Sequence, residues 1–443
     1  MTAVFHTTFF WVFLGFYLLH EIVHLTLELL NYKHAKKQND CPGFYQKRVT
    51  QAVFEKSKAY TLEKIIFNIT AHLAQIPFFW ILIFRNGFNT FDYYAATHGG
   101  YGTLHHSVLF CIYLTIYFGI VGLPFKIYST FVIEEKYGFN KMTFGLFLTD
   151  FLKSLVIGSI IGIPLMYLVF WFMQTTGDFW WISVWAAITV FQLILVTVYP
   201  TFLAPLFNKF TPLPDGELKD KITSLSKKVN MPLSGIFLVD GSKRSGHSNA
   251  YFAGMGRFKR IVLFDTLLKQ LDTDELVSVL AHEMGHYVKK HIRNFMIIST
   301  LTSLIGFYIL SLLINWADFY TAFNISEGSS HAALVIFMIA SEAFTFTLTP
   351  LTNLLSRKNE FEADQFSVET TNNKTGLKSS LLKLTRDNLS NMTPHPAYSF
   401  YHYSHPTTVE RADAIDNIKL SHKDVASNDN SPANDQDQPL TKS

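Results

Sequence analysis

Residues Val277 to His291 read VSVLAHEMGHYVKKH, and within them His282, Glu283 and His286 spell His-Glu-x-x-His. Two histidines four apart on a helix project from one face, so both imidazoles reach a single zinc ion. Glu283 then stands beside the metal, where a carboxylate takes a proton from water whose pKa the ion lowers, giving a nucleophile for a peptide carbonyl. The pattern occurs a second time, as HEIVH at His20, Glu21 and His24. The flanking sequence has to decide between the two copies.

Of the 443 residues, 49% are hydrophobic, 16% are charged and 42 are phenylalanine, which is a membrane composition. The formal charge is +3, and no basic run carries the aromatic interleaving of a nucleic-acid-binding protein, so nucleic acid is excluded as a partner class. Two cysteines, Cys41 and Cys111, are too few for a disulfide framework and lack zinc-ligand spacing, and both read as structural. The first apolar run has no basic segment before it and no small-residue cleavage site after it, so a retained membrane segment is expected. From about Ser421 to Ser443 the chain is mostly Asp, Asn, Ser, Pro and Gln and reads as a disordered tail.

Seven apolar runs have the length of bilayer-crossing helices, near Thr8 to Leu30, Ile65 to Phe84, Leu104 to Tyr128, Leu152 to Gln174, Trp180 to Leu203, Asn294 to Trp316 and Ala332 to Leu355. His20, Glu21, His24, His72 and Glu342 lie inside these runs, where ionisable groups face a protein interior or a wet cavity. Lys33, Lys36, Lys37, Lys47, Arg48, Lys56 and Lys58 follow the first run, Lys136 and Lys141 the third, and Arg357 and Lys358 the last, whereas Asn86 to Thr103 and Ala317 to His331 carry no Lys or Arg. By the positive-inside rule the N-terminus is outside or lumenal and the C-terminus cytoplasmic. The expected organisation is five spans with their loops over 1–203, a zinc-protease insertion over 204–293, two spans over 294–355, the rest of the zinc-protease domain over 356–420, and the tail. Within the insertion, Lys219 to Val229 has helical spacing, Ser234 to Val239 and Arg260 to Phe264 are strand-like, and Asp274 to Lys290 is the motif helix with Asp272 or Thr273 as its N-cap.

A third ligand is found in SRKNEFEAD, just beyond the seventh run. Glu360 and Asp364 are four apart on one helical face, so Glu360 is placed to bind zinc while Asp364 receives an imidazole N–H and orients the ring; Glu362 faces away. By charge placement this stretch is on the same side of the membrane as HEMGH. Such a site is His2Glu with an open position for water, and three ligands plus a base distinguish it from a structural zinc closed by four ligands. HEIVH sits within a span, where Glu342 is the carboxylate at similar depth and no ligand turn accompanies it, so it reads as polar residues facing a wet interior.

From about Leu123 to Arg411, through LPFKIYSTFVIEEKYGFNK, APLFNKFTPLP, GSKRSGHSNAYFAG, KRIVLFDTLL, HEMGH, SRKNEFEAD and HYSHPTTVER, the chain resembles the zinc-dependent type I CAAX prenyl proteases, which are multi-spanning membrane metallopeptidases. The resemblance implies a mainly α polytopic fold: seven helices enclosing a hydrated chamber, closed on the cytoplasmic side by a zincin-like domain of helices and a small β-sheet. It implies His282, His286 and Glu360 as ligands to one Zn2+ per chain, Glu283 as general base and Asp364 as the carboxylate behind the ligands. Asn249, in HSNAY, matches an asparagine that borders the active site on the substrate-binding strand side. His405 matches a histidine that stabilises the oxyanion, with Arg411 as its structural neighbour; His395 and His402 compete for that role. Between FDTLL and DELVSVL this chain has only Lys269 to Thr273, where some members carry a long charged insertion, and its last residues, Leu-Thr-Lys-Ser, form no CAAX box.

The expected function is removal of the C-terminal tripeptide from prenylated CAAX proteins by zinc-activated water. The expected partners are that substrate and the bilayer, in the endoplasmic reticulum of a eukaryote or the inner membrane of a bacterium. Two alternatives stand beside it: quality-control proteolysis of non-prenylated or translocation-blocked membrane proteins, and a non-catalytic transporter or scaffold with a structural metal.

Overall fold

The computed structural model describes residues 2–46, 48–254 and 259–419; the stretch from Ser421 to Ser443 lies outside them. Seven helices are long and apolar enough to cross a membrane: Thr8–Lys37, Gln51–Phe84, Leu104–Tyr137, Phe144–Thr175, Gly177–Leu206, His291–Leu313 and Ser330–Thr371. Six of them outlast the apolar run that announced them, because polar turns at one or both ends continue the helix, and the sixth span lies three residues N-terminal to its run. The boundaries expected at 293/294 and 355/356 fall inside helices, and the seventh span passes through one 3-10 turn, Phe346–Leu348, into the helix that holds Glu360.

Only 6–33% of the apolar window of each span is buried, so the helices form a wall with two open faces rather than a packed bundle. The protein is a multi-pass membrane protein whose seven spans surround a chamber. Hydrophobic packing is concentrated at the two ends. At one end Phe10, Phe13, Leu82, Ile83, Phe110, Phe170, Phe319 and Phe323 form a core from the outer turns of several spans and their connections. The connection over 86–103, read from the sequence as a loop, contains the helix Gly87–Gly99. Its Phe88 and Ala95 are buried in this core.

At the other end the second core, Ile222, Ile261, Leu263, Leu276, Leu280 and Met284 among others, lies beneath a four-stranded sheet. The strands are β1 (Phe210–Pro212), β2 (Gly235–Val239), β3 (Ala250–Ala253) and β4 (Arg260–Phe264), in the order β1-β2-β4-β3. β2 and β4 are parallel and both outer pairings are antiparallel. β1 is too short for its alternation to be read and contains a proline, which is tolerated at a sheet edge.

The motif helix runs Thr273–Val288. Asp272 caps it: its Oδ1 accepts from Glu275 N at 2.9 Å, and Glu275 Oε2 accepts from Asp272 N at 3.0 Å, a reciprocal capping box. The helix packs along the extension of the seventh span, Thr349–Thr371. At the crossing a Cβ on Gly285 would lie 3.1 Å from Ala363 Cα and 3.2 Å from the Phe366 ring, so the middle glycine of HEMGH sets the helix separation. Replacing Gly285 with Val forces the helices apart at a cost of about 1–3 kcal/mol, measurable as a lower thermal-unfolding midpoint of the purified protein.

Candidate metal centre

His282 and His286 come from the motif helix and Glu360 from the facing helix, and their donor atoms converge. His282 Nε2 and His286 Nε2 are 3.2 Å apart, His282 Nε2 is 3.4 Å from Glu360 Oε2, and His286 Nε2 is 3.2 Å from Glu360 Oε1. Ligands bound tetrahedrally to zinc at about 2.0–2.1 Å stand roughly 3.3 Å from one another, so the spacing is that of a metal site. Glu360 Oε2 is buried with no hydrogen-bond partner, an acceptor that a cation would satisfy.

The groups behind the ligands fix the tautomers. Asp364 Oδ1 is 2.8 Å from His282 Nδ1 and accepts its proton, which leaves the Nε2 lone pair directed at the cluster. For His286 the partner is His291, whose Nδ1 lies 3.0 Å from His286 Nδ1 and whose Nε2 is 3.1 Å from Glu362 Oε2. Glu362 accepts the His291 Nε2 proton, so His291 Nδ1 is bare and accepts from His286 Nδ1. Both ligand imidazoles thus present lone pairs, as a metal requires. Burial and the Arg411 charge lower the His282 pKa, but its contacts with Asp364 and Glu360 outweigh them and raise it to about 9. The site therefore holds a positive charge at neutral pH, as a proton or as a metal ion.

Arg411 is buried against the same carboxylates, its Nη2 donating to Asp364 Oδ1 at 2.6 Å and its Nη1 3.5 Å from Glu360 Oε2. Asp364 and Glu360 raise its pKa against burial. His405 is mostly exposed, with Nε2 3.3 Å from Glu360 Oε1. Glu283 is partly buried, one residue along the motif helix from His282. Asn249 is exposed at the head of β3; its carbonyl accepts from Phe264 N at 3.1 Å and its Oδ1 from Ala250 N at 2.8 Å. It makes no contact with the three-residue cluster among the described residues. Of the competitors, His395 caps the helix Pro396–His402, and His402 lies with its ring 6.1 Å from His24, its pKa lowered to about 4 by burial and by His24.

The role of His291 was missed from the sequence. It is five residues from His286, not a same-face spacing on one helix, and it returns to the site only because Lys290 has φ 63° and turns the chain between two helices. No pattern of residue types marks that turn.

The two other His-rich sets differ physically. HEIVH holds its rings 6.3 Å apart, against 4.9 Å for HEMGH, and Glu21 Oε2 is engaged at 2.6 Å by His72 Nε2. His20, Glu21 and His72 line a pocket of about 340 Å³ with Gln75 and Glu342. Asp92, His106 and His331 also converge, but at hydrogen-bond distances: Asp92 Oδ1 is 3.0 Å from His106 Nε2 and 2.6 Å from His331 Nε2. Gly102 N donates to His106 Nδ1 and Ser107 Oγ to His331 Nδ1, so the set is satisfied as a hydrogen-bonded network.

Two outcomes are expected of the metal-binding equilibrium. His291→Ala weakens metal affinity by about 10–100-fold with all three ligands in place, as read by competition with a chromophoric chelator. Because the His282 proton has to leave before the metal binds, affinity climbs by up to about tenfold per pH unit from pH 7 and levels off near the His282 pKa of about 9; the same titration repeated across pH checks it.

Residues 31–209 match the CAAX prenyl protease N-terminal family, five membrane helices, and residues 212–419 match peptidase family M48. CAAX prenyl protease 1 of Saccharomyces cerevisiae is 37% identical over 89% of this chain and 93% of its own length. The homologues of that protease in Arabidopsis thaliana and Homo sapiens are 37% and 34% identical, each over 83% of this chain and over 88% and 86% of their own lengths. The crystal structure of S. mikatae Ste24p superposes with a TM-score of 0.86 at 35% identity, covering 92% of this chain and 99% of that one. The donor geometry at HEMGH and these similarities agree: the chain belongs to the CAAX prenyl protease branch of peptidase family M48 and is a membrane metalloendopeptidase.

Proposed function

We propose that the chain binds one zinc ion through His282, His286 and Glu360 and removes the C-terminal tripeptide from prenylated CAAX proteins on the cytoplasmic side of its membrane. The observation that carries the reading is the free edge of β3 at the rim of the site. Antiparallel pairing engages alternate residues with the partner strand; Asn249 bonds Phe264, so Tyr251 and Ala253 face β4 while Ala250 and Phe252 turn main-chain groups outward. An extended peptide pairs there as an added strand. Asn249 Oδ1 covers the first outward N–H, that of Ala250, and would yield it to the peptide.

Bound zinc would polarise the scissile carbonyl and acidify water. Glu283 takes the proton of the attacking water and delivers it to the leaving amine, as a general base and then acid. His405 donates to the negative charge developing on the carbonyl oxygen. Asp364 holds His282 in its ligating tautomer, and Arg411 offsets one of the two negative charges of the buried Asp364 and Glu360, the metal or the His282 proton supplying the rest.

Glu283→Gln should retain stoichiometric zinc by elemental analysis while cleavage of a farnesylated CAAX peptide falls by about 10²–10⁴-fold; loss of the metal from this variant removes Glu283 from its role. Equal cleavage of the non-prenylated peptide by the wild type favours quality-control proteolysis instead. For orientation, cysteines are placed at Ser326, in the connection without Lys or Arg, and at Asp215, in the metallopeptidase domain, after replacement of Cys41 and Cys111. An impermeant thiol reagent outside intact cells or equivalent vesicles should label the first only; the opposite pattern is incompatible with cytoplasmic substrates.

A further inference from the structure

We propose that the apolar cleft between the fifth and sixth spans is a binding site for an anionic phospholipid of the leaflet on the metallopeptidase side. The cleft measures about 770 Å³, within the roughly 300–1,000 Å³ of ligand pockets. Leu193, Ile292, Met296, Ile297 and Leu301 line it. Ile292, Ile297 and Leu301 are each more than half exposed on a membrane span, so the cleft is open along its length and offers the apolar surface an acyl chain needs. Its mouth carries three cations, Lys259, Lys290 and Arg293.

Several cations elsewhere in the domain have carboxylate partners, although Lys227, Lys243, Lys269 and Lys289 have none among the described residues, so it is burial beside the cleft that distinguishes Lys259. Lys219, Lys221, Lys383, Arg244 and Arg411 are each ion-paired with carboxylates. Among the described residues no carboxylate pairs with Lys259, Lys290 or Arg293; the Arg293 Nη2 contact is with Asn294 Oδ1 at 3.3 Å. Lys259 is only 7% exposed, and its Nζ lies 3.4 Å from the centroid of the Tyr287 ring. A buried ammonium without a counter-ion is costly, and one aimed into a cleft with two further cations at its rim is arranged for an anion. Lys290 and Arg293 flank the first residue of the sixth span, His291, which is the depth of phosphate groups. A phosphodiester with its chains in the cleft meets both halves of the site at once. Tyr287 directly follows His286, and Lys259 leads into β4, so the head group also ties the sheet to the motif helix.

The purified full chain in neutral detergent is titrated with dioleoyl phosphatidylglycerol or dioleoyl phosphatidylcholine, with retained lipid counted by native mass spectrometry and the thermal midpoint followed in parallel. Phosphatidylglycerol should be retained preferentially and raise the midpoint, and affinity should fall about fivefold for each cation removed by Lys259→Met, Lys290→Gln or Arg293→Gln. Lys290 and Arg293 are exposed, so their double variant carries the test if Lys259→Met does not fold. Lys219→Gln, on a paired and distant cation, should bind as wild type. Equal retention of phosphatidylcholine, unchanged binding by the variants, an equal midpoint rise with inorganic phosphate alone, or displacement of the lipid by one equivalent of farnesylated peptide would each overturn the assignment.

Discussion

Where the motif helix crosses the extension of the seventh span, Gly285 meets Ala363 so closely that even a methyl group would press the backbones apart by a few tenths of an ångström. That approach brings Glu360 within 3.2–3.4 Å of both Nε2 atoms and sets Asp364 against the back of His282. A helix pair separated by even one methyl group would spread the donors beyond the roughly 3.3 Å spacing of a tetrahedral ion. The candidate ligands and the carboxylates Asp364 and Glu362 behind them are all carried by two rigid helices, one of them an extension of a membrane span.

The same contact buries charge that would otherwise oppose folding. Glu360 and Asp364 are 3% and 1% exposed, and unpaired carboxylates at that depth would be strongly destabilising. Arg411 compensates from a third helix, Thr408–Asn417, which has its own capping box of Thr407 and Glu410. Glu410 also accepts from Arg357 Nη2 at 2.7 Å, so this short helix is tied to the Glu360 helix at two points. The buried carboxylates, one arginine and two histidines form an electrostatic unit that needs one further positive charge, and the same two carboxylates raise the His282 pKa.

How much of this was legible in the sequence follows from the range of the signals. Apolar runs announced all seven spans because membrane thickness imposes a length that survives local irregularity. His282, His286, Glu360 and Asp364 were each found through a four-residue spacing, which is local and helical. The helix Gly87–Gly99 was read as a connection because its burial depends on partners hundreds of residues away, such as Asn324, whose carbonyl accepts from Asn89. His291 and Glu362 escaped because one reaches the site through a left-handed turn and the other binds a histidine rather than the metal. Arg244 and His247 lay within stretches that carried the family resemblance, yet nothing in those stretches says which membrane residues they would meet.

Those two residues tie the membrane part to the strand β3 proposed to receive the peptide. Arg244 Nε and Nη2 donate to both oxygens of Asp150 on the fourth span at 2.8 and 3.0 Å, and its Nη1 donates to Asn208 at 2.9 Å. Main-chain bonds from Lys141 N to Arg244 O and from Gly246 N to Phe139 O clamp the same loop to the connection between the third and fourth spans. His247 stacks on Phe139 with centroids 3.9 Å apart and reaches Glu134 at 3.2 Å. Three residues later the chain enters β3, an edge strand paired only with β4. A largely sequestered bidentate pair resists displacement far better than a surface ion pair, so the wall of the chamber, rather than the sheet alone, fixes where the free edge lies relative to His282 and His286. A substrate that is lipid at one end and peptide at the other has to meet both parts in one geometry, and this strap holds them in register.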